Sequence, residues 1–370
     1  MSEFIPKSKI FICVLNMGLG HASRSLPVIQ DLQKSGARIV VGSSGRSLLF
    51  LKQEVNEAEF LELPDYELSY SNRGVNIIQL IQQIPGLMKK INLEHKIVRQ
   101  TVADHSINLI ISDHRYGCYC EEIPSLFITH QLRFIAPPFL RFFEFIGVTF
   151  NRYYHAKYDK VIVPDLLHKN EGLLSGRLSR VKSEAQYFFP GTLSSILNIK
   201  YTGDKIDLLV SISGPESQRS VFEKIIRSQI QHIKGNKVIL LGKPEVKQHE
   251  NLGKNLTIIS HASRQDISEL YSRAKLIITR SGYSTIMELA ETDRKALFVP
   301  TPGQTEQLYL AQRFKKNGWF YCVDQEKLDL KTDVGRAQEF SGFPGHYSTK
   351  DSVGRIRELV ESRLVQVGKK

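Results

Sequence analysis

A chain of 370 residues with 41% hydrophobic and 24% charged residues is long for one core, comfortable for two domains, and holds no apolar run near the length of a membrane span. A formal charge of +12 at pH 7 calls for an anionic membrane surface or an anionic substrate; no zinc knuckle, basic helix or aromatic RNA-binding signature points to nucleic acid. The four cysteines (Cys13, Cys118, Cys120, Cys322) have neither zinc spacing nor a disulfide framework, which fits a reducing cytoplasm.

The opening MSEFIPKSKIFICVLNMG reads as a short polar lead into a strand over 9–15, without the apolar core of a signal peptide. The turn NMGLGHASR follows, then a helical pattern over 24–35 and a strand over 37–42. A dinucleotide fingerprint fails here: Ser23 stands at the third glycine position, and the second strand ends in VVGSS with no acid for a ribose. The glycines instead shape a tight turn that projects His21 and Arg24. His21 is either a general base toward an acceptor hydroxyl or a phosphate contact or helix cap.

Short apolar strands over 109–112, 125–129 and 161–164 follow. Two of them run into Ser112-Asp113-His114-Arg115 and Thr129-His130-Gln131, on the carboxyl edge where α/β sheets bind ligands. Asp113 either orients a histidine or is itself a base, and His114 is a further candidate. Residues 133–158 interleave Phe134, Phe139, Phe142, Phe143, Phe145, Phe150, Tyr153, Tyr154 and Tyr158 with Arg133, Arg141, Arg152 and Lys157. Such a segment suits an anionic bilayer or a lipid-linked acceptor, or else a buried helix pair covering the first sheet.

After a Pro/Gly/Ser/Thr-rich linker over 188–204 the pattern restarts, with strands over 207–213, 237–241, 256–259, 276–279 and 296–299. The expected fold class is α/β, two doubly wound Rossmann-like domains facing across a cleft. The expected domains are residues 1–190 and 205–350. Residues 351–370 form a helix, with Val353, Ile356, Leu359, Val360 and Leu364 at helical spacing, that caps the second domain or crosses back to the first. Ser213 and Gly214, before a helix expected from Ser220, suit a diphosphate; His261, after a strand, suits a nucleobase.

The stretch RSGYSTIMELAETDRKALFVPTPGQTEQ carries the most chemistry. Arg280, Ser281 and Gly282 end a strand; Gly282 admits close backbone approach, and the helix starting near Ser284 and Thr285 turns its unpaired N–H groups toward the same spot. Glu288, one turn in, can accept from two ribose hydroxyls. The loop 301–307 offers Gln304, Glu306 and Gln307 to the hydroxyls of a sugar. Phosphate, ribose and sugar contacts in that order describe a nucleotide-sugar site.

These segments resemble the MurG-like group of glycosyltransferase family 28, of the GT-B type. The likeness runs from about residue 9 to 316 and is specific at two places: the Arg280–Gln307 signature, and the loop with Gly18, Gly20 and His21, similar to the family's acceptor loop. The resemblance implies Glu288 at the donor ribose, Ser213 and Gly214 by the diphosphate, Gln304, Glu306 and Gln307 by the donor sugar, and uracil as the default base. NMGLGHASR is less glycine-rich than the peptidoglycan version and SISGPES replaces a glycine-rich turn, so the acceptor need not be a peptidoglycan precursor. The expectation is an inverting, metal-independent glycosyltransferase with no cofactor, its acceptor hydroxyl on a lipid-linked or cell-envelope glycan, its donor-binding set completed by His261, Arg280, Ser281, Gly282, Ser284 and Thr285, and its acceptor set made of Gly18, Gly20, Arg24, His114 and His130. It would be cytoplasmic, peripheral at the inner face of the membrane. A nucleotide-sugar epimerase and a non-catalytic binding subunit are the alternatives.

Overall fold

The computed structural model describes residues 5, 8–66, 77–136, 142, 144–183, 185–201, 203–214, 216–243, 249–253 and 255–367. Phe139, Arg141 and Phe143 of the aromatic segment lie outside them. The chain forms two compact units, one running through Leu193 and resuming at Ser348, the other comprising Ser194–Tyr347.

The first unit is built on β1 (Lys9–Val14), β2 (Arg38–Ser43), β3 (Glu59–Glu62), β4 (Leu109–Asp113), β5 (Ser125–Ile128) and β6 (Lys160–Ile162), with a small hairpin of β7 (Leu167–His168) and β8 (Glu171–Gly172), and β9 (Tyr187–Phe188). The main sheet runs β3-β2-β1-β4-β5-β6-β9 and is parallel throughout. Its central strands KIFICV, LIISD and SLFI are buried nearly end to end, as strands covered on both faces must be. The helices are α1 (Gly20–Lys34), α2 (Gly45–Glu54), α3 (Ile77–His105) and α4 (Glu144–His155).

α1 begins four residues ahead of the expected start, so His21 and Arg24 stand on its first turns and not in a loop. α4 divides the two readings of the aromatic segment by face. It buries Asn151, Tyr154 and His155, while Phe145 and Tyr153 are 55% and 59% exposed and Phe142, just before it, 79%.

The second unit holds β10 (Ile206–Ser211), β11 (Lys237–Leu240), β12 (His249–Asn251), β13 (Leu256–Ile259), β14 (Ala274–Thr279), β15 (Lys295–Phe298) and β16 (Tyr321–Cys322), in the order β12-β13-β11-β10-β14-β15-β16 with only the edge strand β12 antiparallel. Its helices are α5 (Glu216–Gln229), α6 (Arg264–Arg273), α7 (Tyr283–Thr292), α8 (Thr305–Lys316) and α9 (Leu330–Gln338). α5 starts four residues before Ser220. The expected loop over 301–307 turns helical at Thr305, because Leu310, Ala311 and Phe314 bury one helix face beyond the Pro302-Gly303 turn. Glu306 and Gln307 therefore lie in the first turn of α8.

α10 (Thr349–Val367) belongs to the first unit. Val353, Ile356, Val360 and Leu364 are buried, Arg357 pairs with Asp31 of α1 at 3.0 Å, and Arg355 donates to the Pro190 carbonyl at 2.7 Å. Among the described residues no helix is long and apolar enough to cross a membrane.

Candidate active site

β1, β4 and β5 are neighbours in the first sheet, so the segments that follow them meet at one carboxyl edge. β4 ends on Asp113, and the i, i+3, i+4 face of α1 brings three side chains to its carboxylate. His21 Nδ1 lies 2.7 Å from Oδ1. Arg24 donates from Nε to Oδ2 at 2.7 Å and from Nη2 to Oδ1, and Ser25 Oγ donates to Oδ2 at 2.8 Å. A carboxylate has about four acceptor positions, and these four donors fill them.

Burial alone would raise the pKa of Asp113, but the Arg24 guanidinium and His21 outweigh it and hold the carboxyl well below the usual carboxylate range. Asp113 thus stays ionised with no acceptor position left for a proton. Of its two expected roles the geometry fits the orienting one, and the base is withdrawn. Because an ionised carboxylate only accepts, His21 carries its proton on Nδ1 and a lone pair on Nε2, the form a general base needs. Burial first, then Arg24, lowers the pKa of His21, with Asp113 opposing, so the ring is neutral at pH 7.

Arg24, expected among the acceptor contacts, is turned inward. It is 2% exposed, and its third donor atom, Nη1, lies 3.0 Å from His130 Nδ1. A buried carboxylate needs a buried counterion, and Arg24 is it. His114 follows Asp113 with φ +60°, a left-handed conformation that costs a β-carbon residue about 1–3 kcal/mol. Its ring stands 5.4 Å from that of His21, its Nδ1 is buried without a partner, and burial pushes its pKa well below the ordinary value. Gly18 is exposed with φ +71° and nothing near its missing Cβ, so it is needed for backbone conformation alone, while Gly20 opens α1.

The strained turn at His114 is fixed from below by a network that sequence reading missed. Arg115 donates from Nε to Glu94 Oε1 at 2.5 Å and also to the Val14 and Pro64 carbonyls. Glu94 Oε2 accepts from Tyr66 at 2.6 Å and from the Gly117 amide at 2.9 Å. Glu94 lies mid-helix in α3, where nothing in the spacing distinguishes it from a solvated glutamate.

In the second unit β10, β14 and β15 are adjacent, and the turns after them converge. Gly282 is the N-cap of α7; no side chain caps that end, and there is open space where a Cβ would sit, so a ligand can approach the backbone. Ser284 and Thr285 follow in the first turn, half-buried, and Glu288 lies one turn on. The Glu288 side chain is 12% exposed, 3.8 Å from Arg264 of α6. Burial pushes its pKa up to about 7 against the pull of Arg264. Ser213 is half-buried; Gly214 is exposed with φ +111°, and a Cβ there would stand 3.8 Å from Thr301 Oγ1. His261 is exposed just beyond β13. The Thr301 and Thr279 hydroxyls are buried without partners at the ends of neighbouring strands, two polar groups absent from the sequence-based set.

Two residues expected to touch the donor are framework. The Arg280 guanidinium donates to the Val299 and Pro300 carbonyls at 2.8 and 3.1 Å and to Gln325 Oε1 at 2.6 Å, over the Phe222 ring, and burial lowers its pKa to about 10. Ser281 Oγ donates to the Gln307 carbonyl at 2.8 Å. Gln307 in turn accepts from the Thr301 amide at 2.9 Å and donates to Gln304 Oε1 at 2.5 Å, which fixes the turn before α8. Glu306 is half-buried beside them.

Residues 215–339 match the C-terminal domain of glycosyltransferase family 28, and residues 8–130 match glycosyl transferase family 1. The chain is 25% identical over 235 residues to the UDP-N-acetylglucosamine–N-acetylmuramyl-(pentapeptide) pyrophosphoryl-undecaprenol N-acetylglucosamine transferase of Buchnera aphidicola subsp. Schizaphis graminum, a match spanning 54% of this chain and 65%, less than two thirds, of that enzyme. Among solved structures it is similar to the calicheamicin glycosyltransferase CalG4 (TM-score 0.60, 14% identity, 98% of this chain and 97% of the other). It is also similar to Acinetobacter baumannii MurG (TM-score 0.55, 15% identity, 99% and 100%). These likenesses show the GT-B fold of two Rossmann-like units.

Proposed function

We propose that this chain, a MurG-like, GT-B member of glycosyltransferase family 28, uses the second unit's edge for a donor and the first unit's edge for an acceptor, and moves a sugar from a nucleotide diphosphate-sugar to an acceptor hydroxyl. The observation that carries this reading is the buried His21–Asp113 pair, which leaves His21 Nε2 as a neutral proton acceptor. As His21 takes the hydroxyl proton, the acceptor oxygen attacks the anomeric carbon, and the bond to the diphosphate breaks on the opposite face, inverting that centre. Glu288 holds the ribose hydroxyls. The N–H groups at the start of α7, with Ser213 and Gly214, receive the charge that builds on the departing diphosphate, so no metal is required.

The acceptor is lipid-linked in this proposal. Phe142, Phe145 and Tyr153 stand out from the first unit beside the exposed Arg152 and Lys157, a composition that suits the surface of an anionic bilayer and a peripheral, cytoplasmic-face location.

Calorimetric titration with UDP- and GDP-sugars in EDTA, followed by nucleotide-release assays with extracted lipids as acceptors, tests the reading. Selective binding of one donor that Glu288→Ala abolishes and His21→Ala preserves, with turnover lost in both, is the expected result. A folded protein that binds no nucleotide-sugar refutes it.

A further inference from the structure

Arg24 touches three of the four ionisable groups around the first-unit edge, and its chemistry constrains all of them. A guanidinium only donates. Nη1 lies 3.0 Å from His130 Nδ1, so that nitrogen must be the acceptor and the neutral His130 ring carries its proton on Nε2. At Asp113, Arg24 fills one position on each oxygen, Ser25 fills the second on Oδ2, and the position left on Oδ1 faces His21 Nδ1 at 2.7 Å. His21 therefore protonates at Nδ1, the reverse of His130. Arg24 Nη2 also lies 2.9 Å from His21 Nδ1, so two contacts compete for that nitrogen; the ionised carboxylate is nearer and can only accept, which decides for Nδ1–H and leaves the guanidinium as a fixed positive charge against the ring.

We propose that Arg24 is a positioning residue that fixes His130 as the Nε2–H tautomer, opposite to the one Asp113 imposes on His21, and sets a compensating positive charge against both Asp113 and the His21 ring. The assignment rests on and deepens the transferase reading at the same site: the base takes up a solution proton less readily than a free imidazole, at the expense of driving force for each proton transfer. The ionisable groups facing His21 are Arg24 on its own helix, Asp113 at the end of β4, His114 in the turn beyond, and His130 after β5. Of the two that pull hardest, Arg24 lowers and Asp113 raises its proton affinity. Removing the arginine leaves the aspartate unopposed.

Long-range 1H–15N spectra of histidine-labelled protein across pH 5 to 9 read the tautomers and midpoints without substrate, so the outcome is independent of whether a donor or acceptor is found. The wild type should show His21 as Nδ1–H and His130 as Nε2–H. Arg24→Gln should raise the His21 midpoint by one pH unit or more and leave His130 a mixture of tautomers. Arg24→Lys restores the charge without the fork, so it should return the His21 midpoint toward the wild type while His130 stays mixed. If the transfer reaction is in hand, the acidic limb of its rate should move with the His21 midpoint. Unchanged tautomers and midpoints in folded Arg24→Gln overturn the assignment. Should that variant fail to fold, an unaltered His130 tautomer in Arg24→Lys overturns it instead.

Discussion

Donor binding should be linked to a proton on Glu288. The carboxyl is mostly enclosed, its pKa stands at about 7, and the nearest charge is Arg264 at 3.8 Å. Two ribose hydroxyls bond best to an ionised carboxylate, since a protonated one needs a partner for its own hydrogen. Binding therefore selects the ionised fraction, which for such a group is roughly one-tenth at pH 6 and nine-tenths at pH 8. Affinity for a nucleotide diphosphate-sugar should accordingly rise about tenfold between those pH values, or about 1.4 kcal/mol. A sugar-bearing diphosphate is the right probe because, unlike free UDP, it has no phosphate proton titrating in this window.

Calorimetry at pH 6, in two buffers of different ionisation enthalpy, should also report close to one proton released per donor bound. Glu288→Gln should bind at least about tenfold more weakly at pH 8, having lost charge-assisted hydrogen bonds, and its remaining affinity should not vary with pH. Equal wild-type affinities at pH 6 and pH 8 with no proton release would refute the reasoning. So would a Glu288→Gln variant that retains the wild-type pH dependence.

Three further outcomes are expected. His155 is 1% exposed with neither ring nitrogen bonded, and burial lowers its pKa to about 4. The unfolded state then binds more protons between pH 6.5 and 4, so stability should fall as pH drops through that window, by up to about 3 kcal/mol, and urea titrations of His155→Phe should lack this component. Arg115→Met should destabilise the protein by about 3–5 kcal/mol by stranding the buried Glu94, and adding Glu94→Gln should recover part of the loss in guanidinium melts. Replacing Phe142, Phe145 and Tyr153 together by serine should weaken sedimentation with anionic vesicles at least about tenfold without changing the melting temperature appreciably.

The fold was legible because its signal is short-range and repeated. KIFICV, LIIS, KVILL and LIIT are apolar but for one end residue each, and a parallel sheet covered on both faces gives such strands a place. The helix starts were less so: α1 and α5 each begin four residues early, and the start of α1 carries no side-chain cap that would mark it. At the first-unit edge, two residues singled out by chemistry and place, Asp113 and His21, do meet across 92 positions of chain. Glu94, Tyr66 and the unpartnered Thr279 and Thr301 were not singled out. Their importance comes from what lies opposite them in space, and a single sequence has no term for that.

The arginines make the same point with a physical cause. Arg24, Arg115 and Arg280 all sit in or beside motifs that read as ligand-binding, yet each is buried and bonded inward. The carboxyl edge of a parallel sheet is where strands stop and their last carbonyls lose ladder partners, and those groups cannot remain unbonded once loops cover them. Arg115 reaches the carbonyl of Val14, at the end of β1, and Arg280 those of Val299 and Pro300, just past β15. A guanidinium suits this duty because its five donors lie in one plane, and an apolar or aromatic surface such as Phe222 can cover its face. The edge that binds ligands is thus also the edge that most needs internal donors. A basic residue there has two competing uses, and burial decides between them.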